Sequence, residues 1–168
     1  MASMSNDSAQ RATGGLDVTT RIPAHNLILA IAAALLLIAA ADSDPREVRH
    51  EIMEGVGDAA KPVGEMLKGE AAFDAATLGK SLETFRDAAE KVGGYFPEGS
   101  ESGMETRAAP AIWEDRAGFD AALARFDDAV AAAIAADPQS LDEAGAAMGP
   151  VFDACKNCHD SYRLEEEE

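Results

Sequence analysis

The sequence predicts an all-α chain folded as an antiparallel, up-down-up-down four-helix bundle, and three observations carry that reading. β-branched residues are few and never alternate over a strand-length window, so the period-two signal of a sheet is missing. After Ala41 the apolar residues recur at three- and four-residue spacing in four separate stretches, the pattern of helices that each bury one face. Most of the connections between those stretches are short, which sets consecutive helices antiparallel. The 168 residues are 47% hydrophobic and alanine-rich with 5% aromatics, a composition that suits one such domain.

The first helix is expected to start at Asp44-Pro45, a good N-cap followed by proline at the first helical position. Its stripe is Val48, Ile52, Val56, Ala59, Val63 and Leu67, with Gly69 as terminator and Pro62 as an expected kink. Asp74 opens the second, whose stripe is Leu78, Leu82, Phe85, Ala89, Val92 and Phe96 before Pro97 stops it. Residues 98–109 carry glycines and serines without periodicity and read as the one long loop. The third helix is expected from Pro110, with Glu114 and Asp115 in its first turn and a stripe of Phe119, Leu123, Phe126, Val130 and Ala133, ending at Asp137-Pro138. Ser140-Leu141-Asp142-Glu143 is a capping box for the fourth, whose apolar face runs Ala144, Met148, Val151, Phe152, Cys155. The terminal run Glu165–Glu168 reads as a solvated tail, because acids at a helix C-terminus oppose its dipole.

Ahead of the bundle, residues 1–41 form a unit of another kind. Arg11 and Arg21 precede an unbroken apolar run, Leu27 to Ala41, that ends in small residues, the layout of a secretory signal cleaved after Ala41. Counted from Ile22, the run has roughly 20 residues, the length of an uncleaved membrane anchor. Either way the arginines stay on the cytoplasmic side and residues 42–168 are exported.

The chemistry sits in the last helix. Cys155-Lys156-Asn157-Cys158-His159 is a C-x-x-C-H motif, in which two thiols can form thioethers with haem vinyl groups while the next imidazole ligates iron. These are the only two cysteines, so a zinc site lacks its second ligand pair, and no βαβ pattern supports a thioredoxin-like use. A disulfide across two residues remains the plain alternative and would stabilise little. Cys155, Cys158, His159 and Tyr162 share one helical face. Because the motif closes the chain, the earlier helices must supply the pocket.

Cys155-Lys-Asn-Cys-His-Asp-Ser-Tyr-Arg163 at the end of such a bundle resembles the cytochrome c-prime family, the class II c-type cytochromes, and within it the low-spin c-556-like branch. Leu67-Lys68-Gly69-Glu70 with Phe73-Asp74, the loop Phe96-Pro97-Glu98-Gly99-Ser100, and Ile112-Trp113 carry the resemblance further, from Pro45 onward. The resemblance implies one covalent haem c between the helices, with His159 as proximal ligand. It places Met53 where the low-spin branch has its distal iron ligand, and where high-spin members leave a vacant site that takes NO or CO. It places Arg49 beside a haem propionate, a role to which Arg163 is also suited. Each has a plainer rival. Met53 also suits core packing, Arg49 and Arg163 the surface, and Trp113 the core; His50, near Met53, reads as an exposed helix histidine.

The expected function is therefore a periplasmic one-electron carrier, with the gas-binding, open-site protein as the alternative. No acid pair, general base or further metal set points to an enzyme. A formal net charge of −17 excludes nucleic-acid binding through a basic surface and suits a basic redox partner protein, a saline environment or simple solubility. The resemblance allows a homodimer, and membrane contact is expected only if residues 22–41 remain as an anchor. Fusing residues 1–45 to a reporter is expected to deliver it to the periplasm. A mature chain starting at Asp42 marks cleavage, a membrane-held chain starting at Met1 marks the anchor, and a cytoplasmic reporter rules out both.

Overall fold

The computed structural model describes residues 43–103 and 106–165; the proposed signal or anchor lies outside them. Five helices occupy the described chain: α1 (Pro45–Leu67), α2 (Ala75–Val92), a short α3 (Ala111–Glu114), α4 (Arg116–Ala136) and α5 (Leu141–Tyr162). A 3-10 turn, Gly93–Tyr95, extends α2. The four long helices form the bundle, and among the described residues none is long and apolar enough to cross a membrane.

The helix starts follow from their caps. The Asp44 carboxylate accepts from the Arg46 backbone N–H at 2.8 Å, and Asp74 accepts from that of Thr77 at 2.6 Å. Each satisfies a donor that the first turn leaves unpaired. At α5, Ser140 Oγ accepts from the Glu143 N–H at 3.3 Å, while the Glu143 carboxylate reaches back one residue further than a standard capping box, to the Gln139 N–H at 2.8 Å. Gly69 (φ 74°) ends α1 in the left-handed conformation that glycine adopts without steric cost. α1 remains one helix through Pro62, and α5 through Pro150.

The third predicted helix is in fact two. Asp115 leaves helical geometry (φ −124°, ψ 62°), and its carboxylate accepts from the Gly118 N–H at 3.0 Å, so it caps α4 instead of continuing α3. Acidic residues favour a first turn, and an aspartate favours the cap position more strongly still.

The core is built from α1, α2, α4 and α5. Val63, Met66, Leu78, Leu82, Phe85, Phe126, Val130, Ala133, Ala144, Met148 and Val151 are buried together. The stripe of α1 is only half used. Val63 is 1% exposed, Val56, Ala59 and Ala60 pack at the margin, and Val48, Ile52 and Met53 are half-buried outside the cluster. α1 packs on α2, α2 on α4 and α4 on α5, whereas α1 and α5 meet far less. The buried cluster draws on the second half of α1 and the first half of α5, which makes this the closed end of the bundle and leaves the opposite end of the two helices with little shared core. Met148 lies fully buried at the closed end. Met148→Ala is expected to cost about 2–5 kcal/mol of unfolding free energy in urea titrations, without altering the helix content of the folded state.

Candidate haem site

The gap in the core lies where the first half of α1 faces the last half of α5, outside the buried cluster, and these two stretches carry the residues that the sequence singled out. On α1, Arg49, Met53, Val56 and Val63 follow one another at helical spacing along the inward face. On α5, Phe152 and Cys155 pack against the edge of the core, and Cys158, His159 and Tyr162 continue the same face beyond it. Cys155, Cys158, His159 and Met53 are all half-buried, whereas His50 is exposed on the outer side of α1. Both thiols are free.

Burial dominates the electrostatics. It pushes the Cys155 thiol up, with the neighbouring Cys158 adding to the effect, and it pushes Cys158 up against the opposing pull of Arg125. Burial also holds the His159 imidazole below its usual range. Arg163 and Arg107 act in the same direction and Asp160 opposes them. A neutral imidazole is the form that ligates iron.

Arg49 is the most constrained side chain of the site. It is 6% exposed, and its guanidinium donates to the Tyr95 carbonyl (3.2 Å), Ser100 Oγ (3.1 Å), the Ser100 carbonyl (2.8 Å) and Thr106 Oγ1 (2.7 Å). It also lies over the rings of Phe96 and Trp113, at 4.9 and 5.9 Å from their centroids. Among the described residues no carboxylate pairs with it, and burial lowers its pKa. Arg163 is exposed; its backbone bridges to Ala108 and its charge reaches His159.

Edge-to-face rings floor this end of the molecule: Trp113 on Phe96 (6.0 Å), Phe96 on Phe119 (4.8 Å) and Phe119 on Tyr162 (5.3 Å). The Tyr162 hydroxyl stands 3.5 Å from the Asp115 carboxylate. These contacts seat the turn that carries His159 on the start of α4. The sequence reading missed Ser100, Thr106, Arg107 and the Asp115–Tyr162 pair. None has a local pattern, since each acts across roughly 50 residues of chain.

The residues fit haem. A flat macrocycle needs a slot, and α1 and α5 are the neighbouring long helices that pack least on each other. It needs apolar walls, which Val48, Ile52, Val56 and Phe152 offer; two inward thiols followed by a neutral imidazole; and a cation for its carboxylates, which a buried Arg49 without an anionic partner supplies. Two other clefts, about 180 Å³ between α2 and the end of α4 and about 420 Å³ beside Trp113, contain none of the predicted haem residues.

Comparison with known proteins points the same way. The family model for cytochrome c′ matches residues 44–163. A cytochrome c′ from Rhodopseudomonas palustris is 43% identical over 129 residues, covering 76% of this chain and 86% of that protein. A cytochrome c-556 from the same organism is 32% identical over 144 residues, covering 81% and 95%. The solved structure of the R. palustris cytochrome c′ superposes with a TM-score of 0.72 at 38% identity, spanning 75% of this chain and 100% of that one. Replacing both thiols (Cys155→Ala with Cys158→Ala) is expected to make haem extractable by acid–acetone. The wild type should retain it, and extraction from the wild type would refute covalent attachment.

Proposed function

The chain belongs to the cytochrome c′ family, c-type cytochromes with one covalent haem c that carry electrons or bind ligands, and on that premise we propose that it is a periplasmic one-electron carrier ligated by His159 and Met53. When bound, haem supplies the one-electron iron couple that makes the transfer. Cys155 and Cys158 would tether it, and the neutral His159 imidazole would ligate its iron. Arg49, with Arg163 toward the rim, offsets the propionate charge. The likeness to cytochromes c′ and c-556 supports a carrier or ligand binder rather than an enzyme.

The observation that carries the distal assignment is the position of Met53. It lies one turn beyond buried Arg49 and one turn before Val56, on the face of α1 that borders the gap, and the core does not claim it. Its flexible thioether reaches where a branched side chain would not. A filled sixth position keeps the coordination the same in both oxidation states, which suits rapid electron exchange.

The gas-binding reading also has an observation behind it: the cytochrome c′ relative is 43% identical and the c-556 relative 32%. On that reading Met53 fills the distal pocket without ligating, and NO or CO takes the sixth site. The acidic surface selects redox partner proteins with basic faces. Glu47, Glu51, Glu54 and Asp58 are all exposed along the outside of α1, so a homodimer of this chain pairs away from that stripe or relies on salt to screen it. Export through residues 1–41, cleaved or retained, delivers the domain to the compartment where haem c is attached.

Met53→Ala separates the two readings. The carrier predicts a low-spin wild type that takes up CO slowly. The variant should turn high-spin, bind CO promptly and show a lower reduction potential. A high-spin wild type with prompt CO binding overturns the Met53 assignment and leaves the gas-binding one.

A further inference from the structure

The two walls of the haem gap, α1 and α5, pack on each other far less than the other neighbouring helices do. Their separation must therefore be set by something besides their own side chains. Residues 106–109 are fastened to both. On the α1 side, Thr106 Oγ1 accepts from the buried Arg49 guanidinium at 2.7 Å and from the Ala108 N–H at 3.3 Å, which fixes the turn of the segment. On the α5 side, the Ala109 N–H donates to the Tyr162 carbonyl at 3.0 Å, and the Leu164 N–H donates to the Arg107 carbonyl at 2.8 Å. The Arg107 guanidinium also donates to the Leu164 carbonyl, at 3.1 Å from Nε and 2.9 Å from Nη2. Tyr162 lies one turn past His159, whose carbonyl accepts from the Arg163 N–H at 3.1 Å.

A four-residue strap thus joins the helix of Met53 to the turn of His159. We propose that Thr106 is a positioning residue which, through segment 106–109, sets the spacing between Met53 and His159 and so decides how firmly the sixth iron position is filled. The charged hydrogen bond from Arg49 gives the strap its hold on α1, and the antiparallel bridge at Ala108 and Arg163 gives it its hold on α5. This rests on the His159–Met53 reading and adds the element that holds the two ligands at a working distance.

The test uses haem-loaded protein with a change at each end of the strap. Thr106→Val keeps the shape but removes the acceptor for Arg49. Leu164→Pro removes the N–H that binds Arg107, five residues past His159 and outside α5. Each is expected to raise the high-spin fraction and to speed CO association, by about tenfold for Thr106→Val, the value of one charged hydrogen bond, and by less for Leu164→Pro, which removes a neutral backbone one. Thr106→Ser, which restores the hydroxyl, should return both readouts to wild type. Met148→Ala, a purely core lesion, should lower the melting temperature without moving either. If Thr106→Val and Leu164→Pro lower the melting temperature but leave spin state and CO rate at wild-type values, the strap is structural only and the proposal fails. If only Thr106→Val has an effect, Thr106 acts locally on α1, which also overturns it. A wild type that is already high-spin refutes Met53 ligation separately. The strap is then judged on whether both variants still shift the CO rate together.

Discussion

The open end of this bundle depends on one buried cation. A guanidinium taken out of water is tolerated only if its donors are matched, and Arg49 matches four of them with neutral oxygens of residues 95, 100 and 106 and lays its face on two aromatic rings. Those acceptors all come from the connection between α2 and α3, whose described residues hold little regular structure beyond the 3-10 turn Gly93–Tyr95. The cation therefore gives a common attachment to carbonyl and hydroxyl oxygens of residues 95, 100 and 106. Every acceptor is neutral, and Asp44 and Glu101 act on the guanidinium without forming an ion pair with it. The positive charge remains as a field at the edge of the gap, where a bound group with carboxylates completes the pairing.

The second constraint is a core too small for its helices. At the closed end, Val63, Met66, Met148 and Val151 meet Leu78, Leu82, Phe85 and Val130 and exclude water almost completely. Further along, α1 continues its apolar stripe through Val56, Ile52 and Val48, which stay half-buried, and α5 packs on α1 far less than the other neighbouring helices pack on one another. An apolar stripe left half-covered is costly unless another apolar body fills the space, at about 25 cal/mol per Å². A covalently held macrocycle serves as that body, so cofactor attachment and completion of the core are the same physical event. Anything that binds only the folded chain also stabilises it, which couples haem loading to the integrity of the whole domain.

These two constraints explain what was legible in the sequence. The four stripes, the N-caps at Asp44, Asp74 and Ser140, and the C-x-x-C-H motif are local patterns, and each can be read from spacing alone. The split between α3 and α4 was not legible. Asp115 satisfies a helix interior by charge and a cap by hydrogen bonding, and only the approach of Tyr162 and the Gly118 N–H shows which it does. A Cβ on Gly118 would lie 2.1 Å from the Asp115 carboxylate and 2.6 Å from the Tyr162 hydroxyl, so the glycine records that crowding, but its meaning emerges only in three dimensions. The partners of Arg49 were hidden for the same reason. Ser100 and Thr106 look like ordinary loop residues until the fold brings them against α1. The strap at 106–109 is built mostly from backbone groups, which every sequence possesses and none advertises.

Charge is arranged on two scales that act on different steps. Over the whole chain acids outnumber bases, for a net −17, yet several arginines gather at the haem end, Arg49 on α1, Arg107 and Arg163 acting on His159 and Arg125 on Cys158, with Asp160 opposing them at His159. Exposed carboxylates more than a Debye length away, about 8 Å at physiological salt, are largely screened from the iron position. A buried guanidinium is screened far less. Positive charge near the iron disfavours the more positive oxidised state, so the local arginines rather than the acidic shell bias the reduction potential upward. The shell acts earlier, while partners are still diffusing, where long-range attraction of a basic face governs encounter and weakens with salt. On the proposed carrier role, substituting an outer carboxylate would alter association kinetics, whereas disturbing Arg49 would alter the electron affinity of the centre itself. A strongly acidic protein can in this way attract basic partners without making its own redox centre harder to reduce.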